Sequence, residues 1–153
     1  MTLTVNHVAR QDRTQWQALY HGYAEFYKVP MNDEILDTVW GWIHDEGNPF
    51  FGLIAKDEAG NALGLMHCRQ MPSPLRGALV GFLDDLFVTP EARGQGVVEA
   101  LYDSLGELAK QQGWPFVRWI TAEDNYRGRA VYDRLSDKTD WVTYQMTVKL
   151  HGT

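Results

Sequence analysis

The chain has 153 residues, 44% of them hydrophobic and 22% charged, which fits a single folded domain spanning residues 1–153 and excludes a disordered chain. Fourteen Lys and Arg against 20 Asp and Glu give a formal charge of −6, which disfavours a nucleic-acid partner. No apolar run approaches the roughly 18 residues of a membrane-spanning helix, MTLTVNHVAR carries no secretory signal, and a lone cysteine, Cys68, excludes an internal disulfide and fits a cytoplasmic location.

In chain order, Leu3 to Val8 alternates as a short strand. Asp12 then caps a helix to about Lys28, with Trp16, Leu19, Tyr20, Tyr23 and Tyr27 at helical spacing. A second helix runs from Asn32 to about His44 and stops at Gly47-Asn48-Pro49. The period then shortens. Phe50 to Lys56 and Ala62 to Gln70 form a hairpin around Glu58-Ala59-Gly60-Asn61, and Ala78 to Val88 is a long strand stopped by Pro90. Gly96 to Gln112 is a helix with Val97, Val98, Leu101, Leu105 and Leu108 on one face, ended by Gly113. Phe116 to Thr121 is a strand, Asn125 to Leu135 a short helix, and Trp141 to Leu150 a final alternating strand. Hairpins first and a strand–helix–strand unit later predict an α+β domain with a mixed sheet.

Chemistry concentrates in Leu83-Asp84-Asp85-Leu86-Phe87-Val88-Thr89-Pro90-Glu91-Ala92-Arg93-Gly94-Gln95-Gly96-Val97-Val98, where a strand runs through a glycine loop into a helix. Gly94 and Gly96 let the backbone turn tightly and approach a ligand. The first N–H groups of the helix and its dipole make an anion site suited to phosphate, and Arg93 adds a positive charge. There is no Gly-Lys-Ser/Thr of a P-loop, and Glu99 stands where a dinucleotide fingerprint needs Gly.

Arg93-Gly94-Gln95-Gly96-Val97-Val98 resembles the Gln/Arg-x-x-Gly-x-Gly/Ala signature of the GNAT family of acetyl-CoA-dependent N-acetyltransferases, departing at Val98, where the family has Gly or Ala. Asn125-Tyr126-Arg127-Gly128-Arg129-Ala130-Val131-Tyr132 resembles a second family pattern, Asn with a small residue three on and Tyr seven on; the usual Gly-Phe after it is replaced by Leu135-Ser136-Asp137-Lys138. The element order agrees, so the resemblance covers essentially the whole chain. It implies a mostly antiparallel twisted sheet with one splayed parallel strand pair and about four helices.

The resemblance also implies roles. Acetyl-CoA is the cosubstrate, with no metal. Leu86, Phe87 and Val88 offer backbone groups to the pantetheine arm, Arg93, Gly94, Gln95, Gly96, Val97 and Val98 hold the pyrophosphate, and Asn125 touches the CoA arm. Tyr132 lies near the sulfur as general acid. Asp84 matches the acidic residue that polyamine acetyltransferases of the family carry on this strand, and is the expected base; the alternative is a carboxylate paired with a nearby Arg. Strand alternation puts Asp84 and Asp85 on opposite faces, with Phe82 and Leu86 on the face of Asp84, so only one carboxylate faces the cleft. Glu25 and Tyr27, near the loop between the first two helices, are expected to meet the acceptor's ammonium, and Trp40 and Trp42 line that region or the core.

The expected activity is acetyl transfer to a primary amine of a small molecule, polyamine-like or amino-acid-like. A protein lysine or N-terminus is the first alternative, and a non-catalytic acyl-CoA-binding module the second. A homodimer is expected, with the final strand as its edge. Other constellations fail. His67 and Cys68 point to opposite faces and cannot share a metal, and no Gly-x-Ser-x-Gly elbow occurs.

Overall fold

A computed structural model of the chain describes residues 2–150. Its elements are β1 (Thr4–His7), α1 (Arg13–Tyr27), α2 (Asp33–Ile43), β2 (Phe50–Lys56), β3 (Ala62–Ser73), β4 (Ala78–Val88), α3 (Val97–Gln112), β5 (Val117–Trp119) and α4 (Tyr126–Leu135). By internal contacts the chain divides at Ile120 into a larger unit, through β5, and a smaller one beginning at Thr121.

The larger unit is a five-stranded sheet in the order β1-β2-β3-β4-β5. Neighbours from β1 to β4 are antiparallel and β4–β5 is parallel, as expected of the mixed sheet. Both faces are covered. On one, Trp16 and Leu19 of α1 and Leu36 and Val39 of α2 pack with Ile54, Leu65 and Phe87 of the sheet. On the other, Val97, Leu101, Leu105 and Leu108 of α3 pack with Leu53, Ala55, Met66, Cys68, Leu83 and Val88. Each fully buried aliphatic side chain contributes about 1.5–3 kcal/mol, so these two clusters fix which face every strand residue occupies.

Local chemistry sets the element ends. The Asn32 side chain accepts from Ile35 N–H at 2.9 Å and caps α2, with Asp33 and Glu34 against the positive end of its dipole. Asp12 precedes α1, but its carboxylate accepts from Ala9 N–H at 2.8 Å and pairs with Lys56 at 2.5 Å instead of capping that helix. Gly113 ends α3 in the left-handed region at φ 77°.

One strand positions the chemistry. The β3–β4 register runs His67↔Asp85 and then Cys68↔Leu83, so Asp84 is an extra residue with no partner on β3. This is a β-bulge, and it reverses the alternation of β4. Before it, Leu83 faces α3; after it, Leu86 and Val88 do. Asp85 and Phe87 therefore turn to the α1/α2 side, where Asp84 also lies. The expected placement of the two aspartates on opposite faces is corrected, as is that of Leu86 beside Asp84.

The smaller unit holds α4 and a segment without regular secondary structure. Asn125 caps α4 by accepting from Gly128 N–H at 3.2 Å, while its Nδ2 donates to Thr121 Oγ1 at 2.9 Å. The expected strand from Trp141 to Leu150 is not formed. That segment has no regular secondary structure, and its apolar side chains, Tyr144 at 90% and Met146 at 87%, are exposed. Alternation alone does not make a strand, which also needs a partner.

Candidate active site

The α1/α2 face of the sheet holds a pocket of about 450 Å³ lined by Tyr20, Val39, Trp42, Asn48, Pro49, Phe50, Arg69, Gln70, Asp84 and Asp85. Aromatic and aliphatic walls surround a pair of carboxylates on one side and a guanidinium on the other. Both Asp84 and Asp85 reach it because of the bulge.

Their environments push the two carboxylates apart. Burial opposes the charged form of Asp85, but hydrogen bonds from His67, Tyr20 and Tyr23 outweigh it and hold its carboxyl below the ordinary value. Tyr20 donates its hydroxyl to Asp85 Oδ2 at 2.9 Å, and His67 Nδ1 lies 2.8 Å from the same oxygen. Asp84 moves the other way. Burial raises it; Arg69 opposes the rise and the charge of Asp85 adds to it. Arg69 Nε lies 3.3 Å from Asp84 Oδ2, near enough to attract but not aligned to donate, so that oxygen is buried without a hydrogen bond. A carboxylate with raised proton affinity and an unfilled acceptor position is equipped to take a proton. The Arg69 guanidinium stacks over the Phe82 ring, 4.9 Å from its centroid.

The strand then opens. β5 pairs with β4 only from Gly81↔Val117 to Leu83↔Trp119. Beyond Leu83, β4 keeps its ladder to β3 but has no strand partner on the β5 side among the described residues. The side chains of Leu86, Phe87 and Val88 are committed to the cores, which leaves their outward backbone groups as donors and acceptors for a ligand.

After a turn at Pro90–Ala92 the chain enters the glycine loop. Gly94 and Gly96 have φ of 78° and 85°, in the left-handed region that glycine tolerates. A Cβ built on either would meet nothing within 4 Å, so the space before the loop is open to a ligand. Val97 N–H and Val98 N–H begin the 16-residue helix α3, where backbone donors lack intrahelical acceptors. Val97 is buried and Val98 packs partly against the α3-side core, so the departure at Val98 is absorbed by packing. Gly64 makes room for this: a Cβ there would lie 2.7 Å from Val97 Cγ1. Arg93 is half-buried, its guanidinium over the Phe26 ring. The loop fits a phosphate-bearing ligand.

Glu25 and Tyr27 do not line the pocket. Glu25 is exposed near the end of α1, and the Tyr27 ring packs tilted against Tyr23 with ring centroids 4.8 Å apart. Trp42 does line it, whereas Trp40 packs on Trp16 at 5.0 Å. In the smaller unit, Asn125 spends both side-chain polar atoms on local bonds, and Tyr132 sits half-buried on α4. Cys68 is buried in the α3-side cluster, and its thiol is pushed up to about 12 by burial and the charge of Asp84.

Sequence reasoning missed Tyr20, His67 and Arg69. A signal exists for two of them: His67 and Arg69 are two apart on one strand, which places ionisable groups on the same face of the sheet.

The acetyltransferase (GNAT) family model matches residues 16–136. A D-amino-acid N-acetyltransferase of Saccharomyces cerevisiae is 30% identical over 144 residues, spanning 94% of this chain and 89% of that protein. The fold matches the ribosomal-protein-alanine N-acetyltransferase of Brucella melitensis biovar Abortus 2308 with a TM-score of 0.80 and 21% identity, over 97% of this chain and 100% of that one. It also matches AAC(6')-Iy, whose structure is a complex with the bisubstrate analog CoA-S-monomethyl-acetylneamine, with a TM-score of 0.84 and 18% identity over 97% and 100% of the two chains.

Proposed function

The chain belongs to the acetyltransferase (GNAT) family and is an acyltransferase, and on that premise we propose that it moves an acetyl group from acetyl-CoA to the primary amine of a small, amino-acid-like molecule. One observation carries the reading: a single strand, β4, presents two carboxylates to a pocket at 84–85 and then runs, with an unpaired edge, into an open glycine loop. Acceptor and phosphate-bearing donor are thereby served by adjoining stretches of one rigid element.

The acceptor side follows from charge. Asp84 and Asp85 draw an ammonium group, with Tyr20, Trp42 and Phe50 as aromatic walls. Arg69 on the same pocket provides a guanidinium for a carboxylate. An amine that also bears a carboxylate matches both, and the relative in S. cerevisiae is named for D-amino acids.

Acetyl-CoA, when bound, supplies the activated acetyl thioester. The loop from Arg93 to Val98 would hold its pyrophosphate, and the open edge from Leu86 to Val88 its pantetheine arm. Neutralising an amine of pKa about 10.4 at pH 7 costs roughly 5 kcal/mol. Asp84 takes that proton, and the amine nitrogen then forms its bond to the acetyl carbon as the carbon–sulfur bond breaks. A backbone N–H of the β4 edge donates to the acyl oxygen as charge builds on it. Tyr132 returns a proton to the leaving sulfur, a role supported by its spacing from Asn125 in the family pattern.

We place the enzyme in the cytoplasm, on its lone buried cysteine, and take a second copy of the chain as partner, on the exposed Trp141, Val142, Tyr144 and Met146. The acceptor class is tested by thiol release from acetyl-CoA with a panel of amino acids of both hands, polyamines and lysine-bearing peptides. Turnover on free amino acids above the other classes is expected. Turnover confined to peptides would replace this reading with protein acetylation, and acetyl-CoA binding with no turnover on any amine would leave a binding module.

A further inference from the structure

His67 is fully buried, ringed by Trp16, Tyr20 and Phe50, and acetyl transfer as described gives it nothing to do. Its bonds define its state. The Trp16 indole N–H is a donor only and lies 2.9 Å from His67 Nε2, so Nε2 accepts and the ring proton sits on Nδ1. Nδ1–H then points at Asp85 Oδ2, 2.8 Å away. A line of donors runs from the core to the pocket wall: Trp16 to His67, His67 to Asp85. Of the three, only Asp85 lines the pocket.

A carboxylate otherwise turns broadly about its last torsion. His67 Nδ1–H and the Tyr20 hydroxyl, both on Oδ2, together with the Tyr23 hydroxyl, remove that freedom. Apolar side chains of similar volume commonly serve a core position as well as a buried polar cluster does, so packing alone does not call for an imidazole here.

We propose that His67 is a positioning residue of the acceptor pocket: locked by Trp16, it fixes the Asp85 carboxylate in the orientation that receives the amine. The proposal rests on the reading that this pocket takes the acceptor. A pre-set anion meets the incoming ammonium without reorganising, so the benefit falls on amine binding and leaves the acetyl-CoA side untouched.

The test compares three variants with the wild type, using the best amine from the panel. His67→Phe removes the donor, and the amine KM is expected to rise about tenfold with the acetyl-CoA KM unchanged. His67→Asn carries an amide nitrogen near the place of Nδ1 and is expected to recover most of the loss. His67→Gln carries it near the place of Nε2 and is expected not to. A merely structural role predicts that Asn and Gln behave alike, so equal recovery overturns the proposal, as does a wild-type amine KM in all three. If His67→Phe does not fold, the Asn–Gln comparison carries the decision. A wild type inactive on every amine is a separate result: it overturns the acetyl-transfer reading itself before any variant is compared.

Discussion

Asp84 and Asp85 are neighbours in sequence and line the same pocket. A regular strand cannot do this, because successive side chains point to opposite faces. The bulge at Asp84 lets β4 place a hydrogen-bonded anion beside a carboxylate whose Oδ2 lacks a hydrogen bond, with proton affinities shifted in opposite directions. Such a split is the usual basis for giving two adjacent carboxylates different tasks.

The pH dependence should follow from Arg69. Its charge lowers the proton affinity of Asp84 against the upward push of burial and of Asp85. Arg69→Gln removes that lowering, so Asp84 protonates at higher pH. The acidic limb of kcat/KM for the amine is expected to move to higher pH in the variant, measured across acid pH at saturating acetyl-CoA. An unmoved limb would separate Asp84 from the base role.

Stability in acid should follow from Asp85. Its folded-state carboxyl is held below the ordinary 3.8, so its contribution to stability is fully present above that value. It is lost as pH falls through the lowered folded value. Asp85→Asn abolishes this dependence. Urea melts of the two proteins across acid pH should converge, because the wild type loses the Asp85 contribution that the variant lacks, while carboxylates such as Asp12 titrate in both.

Gly96 should be intolerant of a side chain for conformational reasons alone. Its φ is 85°, yet nothing stands within 4 Å of an added Cβ. Gly96→Ala is expected to cost about 1–2 kcal/mol from the left-handed backbone. It should also weaken acetyl-CoA binding by calorimetry, because the first donors of α3 lose their alignment. Arg93→Ala should weaken the same binding with no comparable loss of stability.

Tyr132→Phe tests the proton return to sulfur. Turnover should fall about a hundredfold, the low end of general-acid contributions, with acetyl-CoA affinity nearly unchanged. Wild-type turnover in the variant would remove Tyr132 from the mechanism.

The elements that carry their own period and punctuation were legible in the sequence. α3, with Leu101, Leu105 and Leu108 on one face and Gly113 at its end, and the hairpin of β2 and β3 are examples. So was the glycine loop, because Gly94 and Gly96 mark a local backbone need. The bulge was not, because a slip of one residue between His67↔Asp85 and Cys68↔Leu83 arises from how two strands pair. The Trp16–His67–Asp85 line escaped for a related reason: its members lie 51 and 18 residues apart and meet only through α1 packing on the sheet. Glu25 and Tyr27 were drawn to the acceptor by nearness to a loop, but the helix turns them elsewhere. The segment from Trp141 to Leu150 shows a pattern without the partner strand that would complete it.

The most direct measurement is amine-dependent thiol release from acetyl-CoA by the wild type and by Asp84→Asn at pH 7, with acetyl-CoA affinity measured on both. The account predicts turnover by the wild type on a small primary amine. In Asp84→Asn it predicts a fall in kcat/KM for the amine of about a hundredfold or more, with acetyl-CoA affinity retained. Equal rates in the two proteins would contradict it, since the Asp84 carboxylate at the bulge would then have no part in the chemistry.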